Sequence, residues 1–70
     1  MNLIINGKPE EIDGELTIRD LLLSRGVKTP EMVSVELNGT ILAKNDIQTT
    51  KITEGDILEF IFFMGGGGYP

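Results

Sequence analysis

The sequence predicts an α+β fold in which a mixed sheet of four to five strands carries one short helix packed on one face. Three observations carry this reading. Two Asn-Gly pairs, Asn6-Gly7 and Asn38-Gly39, each sit between β-prone residues, the signature of a two-residue hairpin turn. Between the hairpins, Ile18, Leu21 and Leu22 recur at helical spacing. The last β-prone run, from Ile57 to Phe63, carries all three Phe residues and reads as the central strand.

The elements follow in chain order. Asn2 to Ile5 is a first strand and Lys8 to Ile12 its return, with Pro9, which cannot donate to a ladder, placing that return strand at an edge. Asp13-Gly14 closes the hairpin. Thr17, with Asp20 three residues on, forms a capping-box pattern, so a helix starts at Ile18. Gly26 ends it after about two turns, and Arg25 lies near the negative end of its dipole. A helix this short holds only when packed.

Lys28 to Glu31 reads as a connection. Val33, Val35 and Leu37 then alternate with Ser34, Glu36 and Asn38 as a half-buried strand does. Asn38-Gly39 returns the chain through Thr40 to Ala43. Lys44-Asn45-Asp46 reads as irregular, Thr49 to Ile52 as a short edge strand, and Glu54-Gly55-Asp56 as the turn into the final strand.

Seventy residues allow one compact unit and, with only about 60% of the unfolded surface buried, leave little material to wall a wide cleft. A self-contained enzyme is therefore disfavoured. The chain has no Cys and no His, which removes thiolate nucleophiles, thiolate metal sites, the commonest general base and the commonest metal ligand. No residues are assigned to catalysis or to a metal. A formal net charge of −5 repels phosphate backbones and anionic lipid and favours a partner with a basic surface. The longest apolar run, Phe60 to Met64, is far short of a membrane span, and the N-terminus lacks signal-peptide character, so the expectation is a cytoplasmic protein binding neither nucleic acid nor membrane.

The informative segment is Met64-Gly65-Gly66-Gly67-Gly68-Tyr69-Pro70. Glycine loses the most backbone freedom on ordering and adds nothing to a core, so residues 1–64 are read as the folded body and 65–70 as a flexible tail. One reading of the tail is a simple tether. The other is that it threads a narrow channel in a partner, its four glycines reaching at most about 13 Å, and presents a terminal carboxylate there. It is not a phosphate-binding loop, which needs a Lys-Ser/Thr ending and a following helix.

This order of elements, with a glycine tail on an acidic, Cys-free chain, resembles the ubiquitin-like β-grasp proteins of the ThiS/MoaD sulfur-carrier family, and most of all the thiamine-type carriers. The specific part is Glu54-Gly55-Asp56-Ile57-Leu58-Glu59-Phe60-Ile61-Phe62-Phe63-Met64-Gly65-Gly66-Gly67. The opening Leu3 to Lys8 and the helix Ile18 to Leu22 are similar to that family too. The resemblance implies a carrier that is itself no catalyst and binds no cofactor. A ThiF-like adenylyltransferase uses ATP to activate the C-terminal glycine, a sulfur-donating enzyme converts it to a thiocarboxylate, and thiazole synthase receives the sulfur. A molybdopterin-type destination is the alternative, followed by a ubiquitin-like modifier and a non-covalent interaction module. A modifier would leave covalent conjugates, and an interaction module would survive loss of Gly67 to Pro70.

In the family the terminal residue is a free glycine, whereas here Tyr69-Pro70 follow. Either a peptidase removes Tyr69-Pro70, as in relatives with short extensions, or the chain is not charged in its encoded form. Alignment by the three-glycine ending points to Gly67 as the reactive terminus and a single dipeptide cut to Gly68, the preferred reading, with Gly65 and Gly66 as the thin tail. On the final strand Ile57, Glu59, Ile61 and Phe63 share one face. One helix covers only one side of a sheet, so Ile61, Phe63, Met64 and Glu59 are assigned to partner binding, the alternative being burial of both faces. Glu36, Glu54, Asp56 and Glu59 are candidates for an acidic rim, or simply solvated carboxylates. The isolated chain is expected to be a monomer.

Overall fold

The computed structural model describes residues 1–62. The strands β1 (Asn2–Ile5), β2 (Lys8–Glu11), β3 (Val33–Leu37), β4 (Thr40–Ile41) and β5 (Ile57–Phe62) form one mixed sheet in the order β2-β1-β5-β3-β4. β5 is central, as its apolar composition predicts. It runs parallel to β1, pairing Ile4 with Ile57 and Ile5 with Leu58, and antiparallel to β3, pairing Val33 with Phe62 through Leu37 with Leu58. Pro9 lies in the edge strand β2, where its missing N–H costs no inner ladder bond. Both hairpins turn through Asn at positive φ, 51° at Asn6 and 50° at Asn38, each followed by Gly.

Helix α1 (Ile18–Ser24) starts at a complete capping box. Thr17 Oγ1 accepts from the Asp20 N–H, and Asp20 Oδ2 accepts from the Thr17 N–H, both at 3.1 Å. It ends in a Schellman motif, with Gly26 at φ 83°, its N–H donating to Leu23 O and the Val27 N–H to Leu22 O. Arg25 adds an ion pair with Glu10 of β2. The helix lays Ile18, Leu21 and Leu22 on one sheet face, against a core that includes Leu3, Ile5, Val33, Val35, Leu58 and Phe60. Each such fully buried side chain contributes roughly 1.5–3 kcal/mol, which is what holds a seven-residue helix that would melt alone.

Three expectations between the hairpins and the last strand are corrected. Lys44-Asn45-Asp46 is not irregular but opens a second helix, α2 (Lys44–Thr49), whose single buried residue, Ile47, joins the core. Residues Thr49 to Ile52 are not an edge strand of the sheet. Thr49 closes α2, and the next residues cross the entry to α1, where the Ile18 N–H donates to Thr50 O and the Ile52 N–H to Leu16 O around a single Thr17 to Lys51 bridge. β4 stops at Ile41, because Leu42 turns to pack against the core. The connection before β3 carries a 3-10 turn, Pro30–Met32, with Pro30 buried. The body-tail boundary placed after residue 64 lies outside the described residues.

Candidate functional site

The site is built around β5, since this strand leads into the glycines and is clamped at several points along its length. At its start, Asp56 is buried, 8% exposed. Its Oδ1 accepts from Asn38 Nδ2 at 3.0 Å and its Oδ2 from the Thr53 N–H at 2.8 Å, while Asn38 Oδ1 accepts from the Ile57 N–H at 2.9 Å. The second hairpin turn is thereby tied to the root of β5. Glu54 Oε1 accepts from the Asn2 N–H at 3.0 Å, joining that root to β1 as well. Further along, the Phe60 N–H donates to Asn6 Oδ1 at 2.8 Å. The strand that delivers the tail is thus held by side chains from both Asn-Gly turns.

Alternation along β5 sends Leu58 and Phe60 into the core and leaves Ile57, Glu59 and Ile61 on the face that α1 does not cover. Ile57 is 47% and Ile61 43% exposed. Ile4 lies beside Ile57 in register, and Ile41 of β4, 67% exposed, stands across from Glu36. The open face is therefore an apolar strip interrupted by two carboxylates, Glu36 and Glu59, directly opposite each other on β3 and β5. Like charges facing across strands disfavour each other. A cation placed between them would relieve this.

Of the residues assigned from the sequence to partner binding, Ile61 and Glu59 stand on this face, so for β5 the reading that both faces are buried is set aside. Phe63, Met64, Gly65, Gly66, Gly67 and Gly68 lie outside the described residues. The acidic rim is corrected at Asp56, whose carboxylate is spent on the turn that starts β5, whereas Glu36 and Glu59 share the open face. Ile4 and Ile41 were not singled out from the sequence. The signal for Ile4 was present in the unbroken apolar run Leu3-Ile4-Ile5, which leaves one residue on the wrong side of any one-faced strand.

Among the described residues there is no pocket, no group of three acidic side chains placed to hold a metal ion, and no helix long and apolar enough to cross a membrane. The described residues present an open sheet face on the strand that the sequence continues into the glycines. The fold is that of a β-grasp domain, a mixed five-stranded sheet with a helix packed on one face. The sequence model of the ThiS family matches residues 3–67, and the chain belongs to that family, the thiamine-type branch that the sequence resembles.

Two solved structures of a thiamine biosynthesis protein (ThiS) from Geobacter metallireducens share this architecture. The crystal structure is 45% identical with a TM-score of 0.79, covering 96% of this chain and all of that one. The solution structure is 43% identical with the same TM-score, covering 100% of this chain and 92% of that one. Two thiazole synthases also match, from Magnetococcus marinus at 31% identity over 70 residues and from Paramagnetospirillum magneticum at 36% over 67. These align with 100% and 96% of this chain but with 21% and 20% of their own length, so the chain spans about one fifth of the curated relatives it matches.

Proposed function

We propose that this chain is a sulfur carrier for thiazole formation in thiamine biosynthesis, a protein cosubstrate of partner enzymes. The observation that carries the proposal is a ThiS-family match that runs from β1 through the glycines to residue 67 of a domain without a pocket among its described residues. A bare carboxylate is a poor acyl donor. Attack of the terminal glycine carboxylate on the α-phosphorus of ATP, in an adenylyltransferase, releases pyrophosphate and gives an acyl adenylate. Hydrosulfide supplied by a sulfur-donating enzyme then attacks the carbonyl carbon, forming the C–S bond as the C–O bond to AMP breaks, and leaves a thiocarboxylate. ATP is a substrate of the partner in this scheme and is not held by this chain.

Thiazole synthase is the proposed acceptor, a destination favoured over the molybdopterin-type one because the chain is similar to two thiazole synthases and to a thiamine biosynthesis protein. The open face bearing Ile57, Ile61 and Glu59 suits a docking surface beside the tail, and a basic group on the partner would sit between Glu36 and Glu59. Removal of Tyr69-Pro70 by a peptidase exposes Gly68. The family match ends one residue earlier, at Gly67, which is the other candidate terminus.

The test is reconstitution with the adenylating enzyme and ATP. The chain ending at Gly67 or Gly68 is expected to support pyrophosphate release and to form an acyl adenylate, while the chain retaining Tyr69-Pro70 supports neither. Equal turnover by the unprocessed chain would contradict the reading.

A further inference from the structure

The parallel pairing of β5 with β1 ends in a way that leaves part of the central strand open. Along β5 the backbone groups of Leu58, Phe60 and Phe62 point to the β1 side, and those of Ile57, Glu59 and Ile61 to β3. This follows from the Asn6 N–H donating to Leu58 O at 2.9 Å and the Asn38 N–H to Ile57 O at 2.8 Å. A continuing parallel ladder would next pair the Phe60 N–H with the main-chain carbonyl of Asn6. Asn6 has turned into the hairpin at φ 51°, so its side-chain carbonyl takes that place instead. The β1 ladder is capped there.

Beyond the cap, β5 continues to Phe62 while β1 has ended at Ile5. Among the described residues, Phe60 O and the Phe62 N–H have no ladder partner on this side, although the same residues are flanked by β3 on the other. An unpaired acceptor and donor two residues apart on the edge of a strand are a template for one more strand. This template lies immediately before the residues that lead to the glycines.

We propose that the Phe60 to Phe62 edge of β5 is a docking edge for an extended segment of thiazole synthase, which adds as a strand in line with β1 and holds the root of the tail. The inference rests on the sulfur-carrier reading and names how its partner grips the site. The occupant is argued from two features. In the relatives that match this chain, the matching fifth belongs to a thiazole synthase. A second copy of this chain is disfavoured by its charge of −5 and by Glu59, which stands beside the edge. The docking segment would present an apolar side chain next to Ile61 and a basic one within reach of Glu59.

Amide exchange of the full-length chain, read by NMR with and without thiazole synthase from the same organism, tests this. Glu59 and Ile61, already paired with β3, are expected to be protected in both states, and Phe62 to gain at least about tenfold protection only in the complex. A second arm compares Phe62→Pro with Phe62→Ala. Both remove the aromatic ring, but only proline removes the N–H, which points away from β3 and so takes no bond from the β3–β5 ladder. Phe62→Pro is expected to bind thiazole synthase about tenfold more weakly than Phe62→Ala.

Equal affinity of the two variants, or an unprotected Phe62 in the complex, overturns the inference. Protection that rises with the concentration of the free chain would make a second copy the occupant and overturn it too, as would failure to form any complex. Normal thiocarboxylate formation with an unprotected Phe62 removes only the docking edge. Absence of any thiocarboxylate in the native pathway removes the carrier reading itself.

Discussion

Asn6 has two separable tasks, and a substitution series at this position measures each. It holds a backbone conformation at φ 51° that most residues adopt only at a cost, and its side chain supplies the acceptor for the Phe60 N–H at 2.8 Å. Asn6→Gly keeps the conformation and loses the acceptor, so it is expected to cost about 1 kcal/mol, the net worth of one partly buried hydrogen bond. Asn6→Ala loses both, adding about 1 kcal/mol for the left-handed backbone, for about 2 kcal/mol in all. Asn6→Asp keeps an acceptor and tolerates the turn, and is expected within about 0.5 kcal/mol of the parent. Urea unfolding followed by circular dichroism suits a chain without Trp. With a slope of about 1 kcal/mol/M for so small a domain, the midpoint falls by about 1 M for Gly and about 2 M for Ala. Amide exchange at Phe60 should accelerate in both. A glycine variant with the parent midpoint and an unchanged Phe60 amide would mean that the Asn6 side chain does not complete the β5 ladder.

Further expectations follow from the same contacts. Thr17→Ala removes one half of the capping box and is expected to lower stability by about 1 kcal/mol in a thermal melt, with Thr17→Ser recovering most of it. Asp56→Ala strands the Thr53 N–H and Asn38 Nδ2 that its carboxylate accepts from, and is expected to cost about 2–3 kcal/mol; a loss below about 0.5 kcal/mol would return Asp56 to the list of docking carboxylates. Ile61→Glu, on the open face, is expected to leave the unfolding midpoint nearly unchanged while weakening the complex with thiazole synthase by at least about tenfold in a calorimetric titration. Unaltered binding would exclude this face from the interface.

Local chemistry was readable wherever it is written in neighbouring residues. Thr17 and Asp20, Gly26, and the two Asn-Gly pairs each place an element end where the structure has it, because capping and positive-φ turns are decided within four residues. Helix α2 escaped notice because it has one buried anchor, Ile47, and no side-chain cap at Ala43, so no period can show in six residues. The segment after it was mistaken for a sheet edge because Lys51 and Ile52 do pair, but with the residues that open α1.

The site was legible in outline only. Composition and the glycine run pointed to β5 and its tail, and alternation put Glu59 and Ile61 on one face. What alternation cannot show is which neighbour a polar side chain meets across the sheet. Asp56 finds Asn38 from 18 residues away, and Phe60 finds Asn6 from 54, so a carboxylate read as surface became a turn lock and an asparagine read as a turn residue became the end of a ladder.

In the proposed function, one glycine of the run Gly65 to Gly68 carries sulfur as a thiocarboxylate. Intact-mass analysis of the protein isolated from its own organism, before and after alkylation, tests it most directly. The expected species lacks Tyr69-Pro70 and has sulfur in place of one terminal oxygen; its mass shifts on alkylation and its length distinguishes Gly68 from Gly67. A population that keeps Tyr69-Pro70 and takes up no alkylating reagent while thiamine is being made would contradict it.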